Sequence, residues 1–423
     1  MHSLGSIPAL SGRCEKHGNL ARSLLVSVAL CFVALPAQAA YDGGAGTVND
    51  PYLIRTPEQL NSIGATPGDW GKHFKLVADI DLSGNPPNAY RVIGTEMTQS
   101  FSGVFDGNDH TISGFTLNST RPWYTGLFGC VSGQIKKLGL IKPKVFSQGS
   151  SVGSLAGLLD SGTITHCYVK NADVSGDDYI GGLIGWSKGR IFNCYSTGRA
   201  SGDWYVGGLV GFIADSTVNM SFSKASVSGN TSVGGLAGMT GHETSIVSDC
   251  YATGAVKGGI YAGGLIGQVE QGRAYKCYSA GPVSGNQYAG GFTGYIRVRG
   301  DVIYCFWDTQ ASGQATSPGG TGKTTAEMRT ISTFLNAGWD FWNTWTICEG
   351  TNSPVLLWQI PSGDFQCPDG VDLVDFAFFA AHWHLQDCNV SNAFCEGTDV
   401  NHSGIVDFID LAIFSNRWLE GIP

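Results

Sequence analysis

The chain has 423 residues, 61 of them glycine, a formal charge of -9, and only 14% charged residues against about 25% in an ordinary globular protein. Without a basic excess it lacks the electrostatic footprint of a nucleic-acid-binding protein, and an acidic surface is not drawn to anionic membranes. The length allows two or three domains.

Residues 1–40 read as a secretory leader. Arg13, Lys16 and Arg22 precede the apolar run Leu24 to Leu35, and Ala37-Gln38-Ala39 supplies the small residues of a cleavage site. The run is shorter than the roughly 20 residues a spanning helix needs, and no later segment reads as a transmembrane span. Residues 41–125 read as N-terminal capping coils of a solenoid. Tyr52 to Ile54 is strand-like, and Thr56-Pro57-Glu58-Gln59 has the N-cap, N1 proline and N3 glutamine that open a short helix. Phe74 to Leu82 alternates like a strand, and an atypical end coil is what a solenoid needs to cover its core.

From 126 to 305 one phrase keeps returning: VGSLAG at Val152, IGGLIG at Ile180, VGGLVG at Val206, VGGLAG at Val233, AGGLIG at Ala262 and AGGFTG at Ala289, after an earlier TGLFG. The second small residues (Ser154, Gly182, Gly208, Gly235, Gly264, Gly291) stand 28, 26, 27, 29 and 27 apart. A second column, Cys167, Cys194, Ser221, Cys250, Cys277 and Cys305, is followed each time by an aromatic residue. Turn residues precede each glycine phrase, and the runs between are short, apolar and β-prone. Self-similarity at this period predicts a right-handed parallel β-helix with one coil of two or three strands per repeat of about 27 residues. A propeller blade needs about 40 to 50. The GGL-x-G phrases with runs such as Asn193 to Gly198 resemble the GLUG-motif repeats of bacterial secreted and surface proteins. The resemblance implies a β-rich extracellular repeat module and transfers no catalytic residues.

Residues 306–360 leave the repeat and read as a C-terminal cap and linker, with a capping box at Thr324 to Glu327 and a closing strand from Pro354. Gly319 to Thr324 has the look of a phosphate loop but lacks the first glycine and a preceding buried strand, and reads as a surface loop.

Residues 361–423 contain two segments that superimpose at an offset of 35: Val371, Asp372, Asp375, Ala377, Phe379 and Trp383 meet Val406, Asp407, Asp410, Ala412, Phe414 and Trp418. The second copy places oxygen donors at Asp399, Asn401, Ser403, Ile405 (through its carbonyl), Asp407 and Asp410 with Gly404 between. That spacing wraps six donors around one hard cation such as Ca2+. The pattern resembles the dockerin type I repeat, an EF-hand-like helical module. The resemblance implies docking to a cohesin-type partner through loop positions 10 and 11 with the following helix, here Leu373-Val374 and Phe408-Ile409. Some of those side chains are expected to form the module's small core, and anchoring to the end of the solenoid is the rival role for the module. The first copy departs from the pattern, with Asp364, Gln366, Pro368 and Asp369 and Gly370 one place late, so a weak or absent first site is expected.

Five cysteines of the solenoid column read as packed side chains, because Ser221 replaces one. Cys348, Cys367, Cys388 and Cys395 are the better disulfide candidates, and three connectivities remain open. A zinc site on His382 and His384 lacks further ligands at fitting spacing. The functional expectation is a secreted, non-catalytic protein of adhesion or extracellular assembly, with a cohesin-like protein or surface glycan as partner. Its rival is a β-helix enzyme of polysaccharide catabolism, a lyase or glycoside hydrolase, using Asp177, Asp178 and Asp203 across adjacent coils. Asn230, Gly259 and Asn286 follow in that column, which is turn chemistry.

Overall fold

The computed structural model describes residues 40–367, 369–389 and 392–421. The expected leader lies, apart from Ala40, outside the described residues. The chain winds into a parallel β-solenoid of about eight turns, with a few helices toward the C-terminus.

The repeat columns of the sequence are rungs of the solenoid. Val152, Ile180, Val206, Val233, Ala262 and Ala289 form one parallel ladder. Tyr168, Tyr195, Phe222, Tyr251, Tyr278 and Phe306 form another. Each coil has five short sides rather than two or three strands. One reads Asp178–Gly181, Ile184–Ser187, Arg190–Phe192 and then Tyr195–Ser201. The last strand bends at Gly198, and the next coil splits the same stretch into Phe222–Ser223 and Ser226–Gly229. The additional corner is made by non-glycine residues in the left-handed region, His166, Asn193, Met220, Asp249, Lys276 and Tyr304.

Side chains such as Ile180, Leu183, Ile184 and Ile191 fill the interior, and the cysteine column is buried with them as free thiols. Each thiol donates to the carbonyl two residues back: Cys167 to Thr165, Cys194 to Phe192, Cys250 to Ser248, Cys277 to Tyr275 and Cys305 to Ile303. Ser221 does the same toward Asn219 at 2.9 Å, which explains why serine can stand in the column.

At the N-terminal end, Tyr52–Ile54, His73–Leu76 and Val104–Asp106 continue the same sheet. The helix Pro57–Ala65, opened by the Thr56–Gln59 capping box, buries Leu60 and Ile63 in the common core. At the other end Thr321–Lys323 pairs with Phe306–Asp308 and adds one more rung. The remainder of 306–360 does not stay at the end of the rod but turns back along its side. There it covers the outward aromatic rungs, whose rings from Tyr168 to Tyr278 stack 4.8 to 5.0 Å apart with planes within 4°. Trp339, Trp345 and Trp358 donate their indole N–H to the Tyr304 carbonyl (3.0 Å), the Asp249 carboxylate (3.2 Å) and the Met220 carbonyl (2.9 Å). All three acceptors belong to the left-handed corner. Tyr278 donates to the Pro354 carbonyl and Tyr251 bonds Gln359, so the strap is stitched to the ladder as well as packed on it.

Candidate functional site

The C-terminal module is built around two helices, Leu373–Ala381 and Phe408–Asn416, each opened by an aspartate pair acting as a capping box: Asp372 with Asp375, and Asp407 with Asp410. From the residue before each N-cap into the helix, the residues that go inward are spaced i, i+4: Val371, Asp375 and Phe379, then Val406, Asp410 and Phe414. The Phe379 and Phe414 rings stack at 5.5 Å, with Phe365 beside them. Cys348–Cys367 ties the module to the strap, and Cys388–Cys395 closes a small loop within it.

The second loop folds around two fully buried carboxylates, Asp399 and Asp410. Asp399 accepts from the backbone N–H of Ser403 (2.9 Å) and Gly404 (2.8 Å). Asp410 accepts from Asn401 N–H (3.0 Å) and Asp407 N–H (2.9 Å), while Asp407 caps Ile409 (2.7 Å). The Ser403 hydroxyl donates to the Ile405 carbonyl at 3.1 Å. The ion pairs of this part of the module join His382 to Glu396 and Arg417 to Glu420, so the loop acids gain no compensating cation from them. A carboxylate oxygen that accepts one N–H keeps a lone pair, and every remaining donor in the loop is a hard oxygen. That chemistry fits Ca2+. Among the described residues no three His, Cys, Asp or Glu side chains converge as a ligand cluster. Any site here therefore needs the amide, hydroxyl and carbonyl oxygens as well.

The first loop repeats the scaffold. Gly370 N–H bonds Asp364 (3.0 Å), and Asp375 accepts from Phe365, Gln366 and Asp372 N–H. Gly370, one place late in the sequence, thus makes the bond that Gly404 makes in the second loop. Burial, with Asp375, Asp369 and Asp372 nearby, pushes Asp364 up to about 7, and its Oδ1 is buried without a partner. Pro368 lies outside the described residues.

Loop positions 10 and 11 differ from expectation. Leu373 and Val374 are 72% and 59% exposed, and Phe408 and Ile409 are 73% and 58% exposed. The i, i+4 stripe supplies the core instead, and of the four only Phe408 is seen meeting a ring beside it, that of Trp383 at 5.1 Å edge to face. That spacing was present in the sequence and was the signal that could have separated the two groups.

On the solenoid, Asp177, Asp178 and Asp203 are neighbours. Burial raises the Asp178 carboxyl above its ordinary value, with Asp177 and Asp203 adding to the effect. Their other interactions are those of turns: the Asp177 carbonyl accepts from Asp203 N–H (2.7 Å), and the Asp203 carboxylate accepts from the Asn230 side chain. Gly319 to Thr324 is no phosphate loop, since Thr321–Lys323 is a paired strand and Lys323 bridges to Glu327. His382 Nδ1 bonds the Phe378 carbonyl, and His384 lies outside any ligand cluster among the described residues.

No family model matches the chain. An Evansella cellulosilytica protein named "Putative Gly-rich membrane protein" is 31% identical over 186 residues, 35% of this chain and 21% of that protein. Halomucin of Haloquadratum walsbyi is 29% identical over 347 residues, 78% of this chain and 4% of that protein. The chain spans less than a quarter of the length of either relative. Among solved structures, the "putative immunoglobulin A1 protease" of Bacteroides ovatus is similar with a TM-score of 0.51 and 21% identity, covering 75% of this chain and 96% of that one. At that identity the likeness concerns the fold. No helix among the described residues is long and apolar enough to cross a membrane.

Proposed function

We propose that the chain is an extracellular, non-catalytic repeat protein of adhesion or assembly, with a C-terminal module that binds Ca2+ and docks a cohesin-type partner. The observation that carries this reading is the exposure of Leu373, Val374, Phe408 and Ile409, two apolar pairs related by the internal repeat that stay largely outside the core. Exposed apolar clusters of this kind mark interaction surfaces. Asp399, Asn401, Ser403, the Ile405 carbonyl, Asp407 and Asp410 would hold the ion, setting the angle at which the second helix and its apolar pair leave the loop. Two disulfides favour an oxidising compartment, as the leader read in the sequence would require. The solenoid would then act as a spacer and display surface.

Calorimetric titration of the full chain with Ca2+ tests the ion site. Uptake at one site, abolished in the Asp399→Ala, Asp410→Ala double variant, is expected. Binding of a purified cohesin domain should then require Ca2+ and weaken at least about tenfold in Leu373→Ser, Phe408→Ser. Unchanged Ca2+ uptake in the double variant would remove the loop from the reading, and calcium-independent cohesin binding would remove the link between ion and docking.

A further inference from the structure

The aromatic ladder is not covered along its whole length. Trp358 crosses the edges of Tyr195 and Phe222, at 6.3 and 6.0 Å between ring centroids, and the strap then leaves toward Pro361. Tyr168, the first ring of the ladder, is left at the edge of a cleft of about 560 Å3 between the solenoid and the C-terminal module. This is within the size range of small-ligand sites.

The charge in the cleft is unusual for a chain of net charge -9. Three cations line it, Lys137, Lys170 and Arg417, against two carboxylates, Asp109 and Glu420. Both carboxylates are already engaged, Asp109 with Lys137 (3.2 Å) and Glu420 with Arg417 (2.9 Å). Lys170 has no carboxylate partner among the described residues. Its ammonium stands 5.4 Å from the Tyr168 ring centroid and 6.0 Å from that of Tyr195. It lies close enough to Lys224 for its charge to help lower that lysine below its ordinary value, after burial. His166 Nε2 stands 3.0 Å from the Asn193 side-chain amide at the rim. The cleft therefore holds an ammonium without a carboxylate partner beside the aromatic ladder, with Trp358 on its lining.

We propose that this cleft binds an acidic sugar, with the carboxylate of a uronic acid residue on Lys170 and its ring against Trp358. The acid supplies the missing counter-charge, and the face of the Trp358 indole, which lines the cleft, is the kind of surface on which the C–H side of a pyranose packs. An acidic peptide could satisfy the charge but has no matching use for the ring surface. A neutral glycan could use the rings but would leave Lys170 uncompensated. The site uses no residue of the calcium loop, so it extends the adhesion reading without depending on ion binding.

Calorimetry on the full chain with a trisaccharide of galacturonic acid, its neutral galactose counterpart and a short polyglutamate peptide tests the assignment. The uronate is expected to bind at least about tenfold more tightly than the other two, and Lys170→Thr to lose about tenfold or more. One coil on, Thr197 lies opposite the bulge of Lys170 and Asn171, so Lys170→Thr introduces a residue type the fold already uses there. Failure of the uronate to bind, equal binding of the galactose trisaccharide or polyglutamate, or full affinity in Lys170→Thr would each overturn the proposal. Uronate binding without Ca2+ uptake, or the reverse, separates this site from the calcium reading.

Discussion

Asp249 occupies a left-handed corner where the neighbouring coils place Asn193, Met220 and Lys276, and it is the acceptor for Trp345 of the strap. Burial raises its carboxyl to about 6, although the N–H groups of Trp345 and Asn219 and the charge of Lys276 pull it back. Its folded value lies above the ordinary carboxylate value, so the native state holds the proton more tightly between about pH 4 and 6. Its contribution to stability is full below that window and is lost as pH rises through 6. Asp249→Asn keeps an acceptor for the indole and tolerates the left-handed backbone, as Asn193 does. The variant should match the wild type near pH 4 and exceed it by roughly 2 kcal/mol at pH 7 in denaturant melts. Parallel stability curves across that range would show that Asp249 does not titrate there. At this scale the sequence was partly legible. The cysteine column was readable as packing because Ser221 breaks it, and the four later cysteines were readable as disulfide candidates. Their pairing, Cys348 with Cys367 and Cys388 with Cys395, was not readable, because connectivity follows from the path of the strap and module.

The coil is the element on which the repeat phrase acts. In the GGL-x-G phrase the first glycine admits no Cβ: at Gly207 it would overlap the Val210 carbonyl of the same coil. The last glycine admits none because the preceding coil passes directly beneath it, as Gly211 does over the peptide from Tyr179 to Ile180. The middle position is the one where serine appears, at Ser154. The phrase is therefore a packing constraint between coils, and it locates a corner rather than a binding site. Gly207→Ala should destabilise the rod by roughly 3 kcal/mol in chemical denaturation, because backbone on both sides prevents relaxation. Gly84→Ala, with open space around it, should change stability by less than about 0.5 kcal/mol. Similar losses at both positions would mean that glycine is needed for chain flexibility and not for close approach. The period and register of the coil were legible because parallel stacking repeats every side chain. The number of sides was not, since the left-handed corner carries His, Asn, Met, Asp, Lys and Tyr, which share no composition signal.

At the scale of the molecule, the strap decides how the rod behaves. Coils in a solenoid contact mainly their neighbours, so a bare rod can fray from its end one coil at a time. Here residues 325–360 run back from the coil of Tyr304 to that of Met220, and Trp339, Trp345 and Trp358 fasten them at three heights. Met328, Phe334, Trp345 and Leu356 are fully buried against the ladder, each contributing about 1.5–3 kcal/mol. None of this is periodic, which is why the segment read as a cap and linker: its tryptophans match the spacing of coils they meet across 35, 96 and 138 residues of sequence. A chain ended after Lys323 keeps the last rung but exposes the rings of Tyr251, Tyr278 and Phe306. In that chain, hydrogen exchange should accelerate at least about tenfold in the strands from Ile246 to Asp308, while those from Val104 to Ser175 keep their protection. A dye that binds apolar surface should light up in parallel. Unchanged exchange in the late coils would mean that stacking between neighbours is sufficient on its own, and that the strap serves only to hold the C-terminal module beside the cleft.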